Sequence, residues 1–142
     1  MDKKLTRIIE LKEKFMEEKE GVINNLAIQF SEINTIIEKI EFEYGENQEM
    51  LQKFVLDGSD FEVITSYIKC LSARKQKKIH ERENVNKQID AVRAELVELA
   101  IEVNIYKKLR EKKIKEIKII ENRKLQKKLD DIAIRNARLK TS

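Results

Sequence analysis

Proline is absent from all 142 residues, so no position removes a helical amide or forces a kink. Only the stretch Asp57-Gly58-Ser59-Asp60 combines stop and start signals for a helix. Gly58 can take the left-handed conformation that closes a helix, and Ser59 with Glu62 has the spacing of a capping box. The chain therefore reads as one domain over 1–142: a helix over 3–56, a turn at 57–60 and a helix over 61–140. Helices of that length do not fit a compact globule. The fold class predicted is all-α, an antiparallel coiled-coil hairpin of two long helices in which the second overhangs the first. Tyr44-Gly45-Glu46-Asn47 is the second choice for a break, because Gly21 and Gly45 each cost about 1 kcal/mol relative to Ala inside a helix.

Composition agrees with long helices: 39% of residues are charged, 41% hydrophobic, and Trp is absent. Charge is divided unevenly. Residues 1–56 carry 8 Lys/Arg against 12 Asp/Glu, and residues 57–142 carry 22 against 14, so the arms attract each other and like arms repel. The expectation is a monomer. Cys70 is alone, which points to a reducing compartment, and no apolar run reaches signal-peptide or membrane-spanning length. A cytoplasmic chain without direct membrane insertion is expected.

In the first arm, spacings of 3 and 4 give Leu5, Ile8, Phe15, Val22, Leu26, Ile33, Ile36, Ile40, Met50 and Phe54, interrupted at Lys12, Lys19, Gln29, Glu43 and Asn47. Beside it runs a column without a polar exception: Ile9, Met16, Ile23, Phe30, Ile37, Tyr44 and Leu51. The stripe is three columns wide, more than a two-stranded seam needs. In the second arm the heptads are Phe61, Ile64, Ile68 and Leu71, then Val85, Ile89, Val92, Leu96, Leu99, Val103 and Tyr106. Between them the seam positions are Lys75, Lys78 and Arg82.

Folding back at the turn pairs residues whose numbers add to about 116. Residues beyond about 113 then have no partner in the first arm, although Ile114, Ile117, Ile120, Leu125, Leu129 and Ile132 keep an apolar stripe. The same register sets Lys75, Lys78 and Arg82 against the apolar stretch 33–42. Either their long stems cover it, or some of Ile33, Ile37, Ile40 and Tyr44 face solvent, joined by Tyr67 and Leu71. The second outcome is the expectation, and it makes those six residues a candidate partner patch.

Nothing in the sequence gathers chemistry. There is no Gly-rich phosphate loop, no Cys or His pair at metal spacing and no nucleophile–base set, so no catalytic residue, metal or cofactor is assigned. His80 reads as a solvated residue in a charged run, Cys70 as a partly buried neighbour of the seam, and Asp130-Asp131 as solvated charges. Residues 107–140 hold 14 Lys/Arg against 5 Asp/Glu, which admits nucleic acid, an anionic membrane or an acidic protein surface. Aromatics for stacking or for a membrane interface are missing after Tyr106, so protein binding is the best specific reading.

One run near the C-terminus is more specific. Glu121, Asn122, Arg123, Gln126, Lys127, Lys128, Asp130, Ala133 and Arg135 make a pattern that resembles the C-terminal signature of the FliJ family, cytosolic stalk proteins of the bacterial flagellar type III export apparatus. The Arg110-Glu111-Lys112-Lys113 run and the Tyr67, Leu71 pair also resemble it, whereas Asp131 stands where Glu is commoner. The resemblance implies a non-enzymatic stalk at the cytoplasmic face of the inner membrane. Its implied partners are the hexameric export ATPase, held by those nine residues, the cytosolic part of the export gate, and export chaperones. The gate contact is expected at the patch of Ile33, Ile37, Ile40, Tyr44, Tyr67 and Leu71. The alternatives are the equivalent stalk of a virulence secretion system and a basic coiled coil that binds nucleic acid or the ribosome; nucleic acid is not the expected partner.

Overall fold

The computed structural model describes residues 3–141, with side chains through 140. Two α-helices, α1 (Lys3–Lys53) and α2 (Gly58–Thr141), pack against each other as a helical hairpin, with no strand among the described residues. The packing falls into two compact units, each holding a stretch of both helices: Met1–Met16 with Glu98–Ser142, and Glu17–Val97. α1 runs unbroken through Gly21 and Gly45, so the alternative break near Gly45 is not used. Beside Gly45 the Asn47 amide donates to the Glu43 carbonyl at 2.7 Å, an added bond within that turn.

The turn is capped differently from the expectation. α1 ends at Lys53, and Phe54 still donates its N–H to the Met50 carbonyl at 3.3 Å. Residues 54–57 connect, and α2 starts at Gly58 instead of residue 61. Asp57 is the cap: its Oδ1 accepts the Asp60 N–H at 2.8 Å, and its carbonyl accepts the Phe61 N–H at 3.0 Å. Asp57 thus satisfies an amide that would otherwise be orphaned in the first turn, and Asp60 adds negative charge near the positive end of the helix. Because the helix begins two residues before Ser59 could cap it, Gly58 sits in the first turn. No glycine among the described residues has a positive φ.

Heptad columns carry the packing in both units. In the second unit Leu26, Val85 and Ile89 form a buried cluster against which Ile23, Phe30, Ile33 and Val92 pack. Around it the half-buried or buried α1 positions on the seam columns are 19, 23, 26, 30, 33, 37, 40, 44, 47 and 51, with Asn34 and Glu43 half-buried at its flanks. The α1 seam therefore uses the uninterrupted column containing Ile23, Phe30, Ile37, Tyr44 and Leu51. The column of Val22, Ile36 and Met50 lies at its exposed flank. The first unit repeats this, with Leu5 and Ile9 buried and Ile8 and Phe15 exposed. On α2 the expected seam holds from Ile64, with Leu71, Val85 and Ile89 buried in the second unit and Val103 in the first; Phe61, expected in the seam, is 52% exposed in the first turn of the helix.

The cap assignment yields two opposed outcomes. Asp57→Ala should lower unfolding stability by about 1 kcal/mol. Gly58→Ala should leave it unchanged or raise it, because a Cβ there meets no atom within 4 Å. A large loss from Gly58→Ala in denaturant melts would restore the left-handed cap.

Candidate functional site

The sides of the seam are set by ion pairs and hydrogen bonds across it. With the seam columns as heptad positions a and d, Glu13 and Lys107 both fall at e, and their charged groups lie 3.9 Å apart. Glu43 and Tyr67 both fall at g, and the Tyr67 hydroxyl donates to Glu43 Oε2 at 2.8 Å. Matching flanks, e with e and g with g, are the signature of antiparallel helices. Lys75 with Glu41 and Arg82 with Asn34 fall on the predicted register, while Lys12 with Glu102 and Lys19 with Glu95 lie within a turn of it.

The partner patch predicted around Ile37 is corrected. Ile37, Ile40 and Leu71 are buried, Leu71 completely, and Ile33 and Tyr44 are half-buried; only Tyr67 of the six is exposed. They are seam, not surface. The cover comes from Lys75, Lys78 and Arg82, all half-buried. Their heads are held at the rim: Lys75 Nζ lies 3.2 Å from Glu41, Lys78 Nζ 3.1 Å from Glu81, and Arg82 Nη1 donates to Asn34 Oδ1 at 2.9 Å. An aliphatic stem on the seam and a solvated head at its edge cover apolar surface without burying a charge. Cys70, expected to be partly buried, is exposed, as is His80.

Tyr67 and Lys12 carry shifted titrations. The hydrogen bond to Glu43, more than desolvation, raises the Tyr67 phenol above its usual value. The hydrogen bond to Glu102 raises Lys12 against an opposing effect of desolvation, and its ammonium also lies 5.8 Å from the centre of the Tyr106 ring, within cation–π range.

Past Arg110, which is half-buried, every described side chain of α2 to residue 140 is exposed. In the first unit an open groove of about 730 Å³ lies between the start of α1 and this stretch, walled by Ile114, Ile117 and Ile120 and edged by Lys3, Arg7 and Arg110. Of the nine residues singled out for the ATPase, all lie on exposed α2. Glu121, Lys128 and Arg135 recur at seven-residue spacing, as do Arg123 and Asp130, and Gln126 and Ala133, so the set encircles the helix rather than forming one face. Gln126 donates to Asp130 Oδ1 at 3.1 Å. The described residues contain no group of three His, Cys, Asp or Glu placed to hold a metal.

A family model described as flagellar FliJ protein matches residues 1–142, the whole chain. The chain belongs to the FliJ family. It is thereby a component of flagellar type III protein export, a structural part of that apparatus in kind. No curated protein and no solved structure matches it. Among its described residues, no helix is long and apolar enough to cross a membrane.

Two outcomes check this description of the seam and its flanks. Lys78→Met keeps an apolar stem and should be neutral or stabilising, whereas Lys78→Ala uncovers the seam and should cost about 1 kcal/mol; equal effects in urea melts would contradict covering by stems. Tyr67, observed by phenolate absorbance after Tyr44→Phe and Tyr106→Phe, should titrate above free tyrosine. Since its folded pKa is the higher one, its stabilising contribution is complete below the unfolded value and lost as pH rises through the folded one. Glu43→Gln should bring that titration down; an unchanged midpoint would remove the assigned cause.

Proposed function

We propose that this chain is a non-enzymatic stalk that inserts the free end of α2 into the hexameric export ATPase, at the cytoplasmic face of the inner membrane. The observation that carries the reading is the stretch after Arg110. Beyond the groove that Ile114 and Ile117 share with the start of α1, Leu125, Leu129 and Ile132 are 52 to 57% exposed on a helix face that has no described α1 residue opposite it. About 25 cal/mol is gained per Å² of apolar surface removed from water, so a stripe of this length favours a protein partner. The surrounding excess of cations, 14 Lys/Arg against 5 Asp/Glu over 107–140, suits an acidic ring interior.

The gate and the export chaperones are proposed as partners of the second unit, around the connection between the helices. There the exposed apolar side chains are Phe54, Val55, Phe61 and Val63 around the connection, in place of the buried Ile37, Ile40 and Leu71. A basic helix that reads nucleic acid would gain nothing from the apolar stripe and lacks stacking aromatics after Tyr106.

Ending the chain after Ile120 should leave the paired segments helical by circular dichroism and abolish stimulation of the ATPase. Full stimulation by the shortened chain would overturn the assignment of this end. A steep salt dependence of binding to nucleic acid, with no effect on the ATPase, would favour the other reading.

A further inference from the structure

The first unit has an apolar face that the seam does not use. Ile8 and Phe15 of α1 and Leu109 of α2 occupy g positions, and Leu11 and Ile105 occupy the adjoining c positions. All five are exposed, Leu11 by 53% and Ile105 by 58%. Their level along the hairpin is the same, since Ile8 falls opposite Leu109 and Leu11 opposite Ile105 in the antiparallel register. The ion pair of Lys12 with Glu102, itself a g residue, marks this flank, and that of Glu13 with Lys107 marks the opposite one. The five side chains therefore share one side of a two-helix layer.

The balance of charge differs across the same segment. Lys4, Arg7, Lys14, Lys108 and Lys112 sit at c and f positions, bordering the apolar face. The same flank also holds Glu98 at c and Glu102 at g, the latter paired with Lys12, for five cations against two anions; the b and e positions opposite hold Glu10, Glu13 and Glu111 against Lys3 and Lys107. None of the five cations forms an ion pair among the described residues. An apolar strip between two helices, edged by an excess of cations, has the layout of a bundle that lacks one helix.

We propose that this face docks an acidic amphipathic helix from a partner protein, which completes a three-helix bundle over Ile8, Leu11, Phe15, Ile105 and Leu109. A second copy of the chain does not fit, because it would set the same cations against each other. The face is on the paired part of the hairpin and is separate from the free end assigned to the ATPase, so the two readings stand or fall independently.

The test uses the full chain and two designed amphipathic peptides with the same leucine stripe, one flanked by Glu and the other by Lys. Fluorescence anisotropy should show binding of the acidic peptide only. Leu11→Ala with Ile105→Ala should weaken that binding by about tenfold or more with helical content unchanged, since both side chains are exposed in the free chain. Reversing Lys4 and Lys108 to Glu should switch preference to the basic peptide. Equal binding of the two peptides, binding unchanged by the double variant, or self-association of the chain through this face would each overturn the proposal.

Discussion

Two helices side by side can bury one stripe each, and every other feature of this fold follows from which stripe that is. A seam that repeats every 3.5 residues must be filled at nearly every a and d position, because no third layer supplies burial elsewhere. α1 offers two apolar columns for one side of that seam, and the structure takes the one without polar interruptions. The unused column then becomes surface. It supplies Ile8 and Phe15 to the exposed face in the first unit and leaves Val22, Ile36 and Met50 exposed along the second.

The same constraint explains the three cations in the α2 seam. Opposite Ile37 and Ile40 a polar seam would leave apolar surface wet, yet the stems of Lys75, Lys78 and Arg82 close it while their heads reach Glu41, Glu81 and Asn34. Exposed ion pairs of this kind add little energy, about 0 to 1 kcal/mol each. Their larger role is geometric: they hold stems against the seam, and the two that cross it, Lys75 with Glu41 and Arg82 with Asn34, agree with one antiparallel register.

The all-α class, both helices, the register and the α2 seam from Ile64 to Tyr106 were legible in the sequence, because one α2 column keeps the 3 and 4 spacing there, whereas Phe61, read as seam, is exposed. α1 was ambiguous for a physical reason, its three-column stripe, although Gln29 and Glu43 interrupt one candidate column and nothing interrupts the other. That asymmetry was the available signal for which column is seam; Ile37 and Ile40 looked exposed because the α2 positions facing them are Lys75, Lys78 and Arg82. The cap was misplaced because Asp57 and Ser59 are both good N-caps two residues apart, and only the hydrogen bond to the Asp60 amide separates them. Lys and Arg at seam positions read as gaps in a pattern of residue types, since hydropathy assigns one value to a side chain whose stem and head behave differently. The apolar stripe after Arg110 was legible from spacing alone, whereas the face around Leu11 and Ile105 needed both flanks of the seam to be known.

Adjacent isoleucines put the central claim to a direct measurement. Ile9 is 2% exposed beside Ile8 at 36%, and Ile37 is 4% exposed beside Ile36 at 37%. Single alanine substitutions at the four positions, compared by equilibrium denaturation, should cost roughly 2 to 5 kcal/mol at Ile9 and Ile37 and well under half as much at Ile8 and Ile36. Equal losses within each pair, or larger ones at Ile8 and Ile36, would contradict the seam on which this account rests.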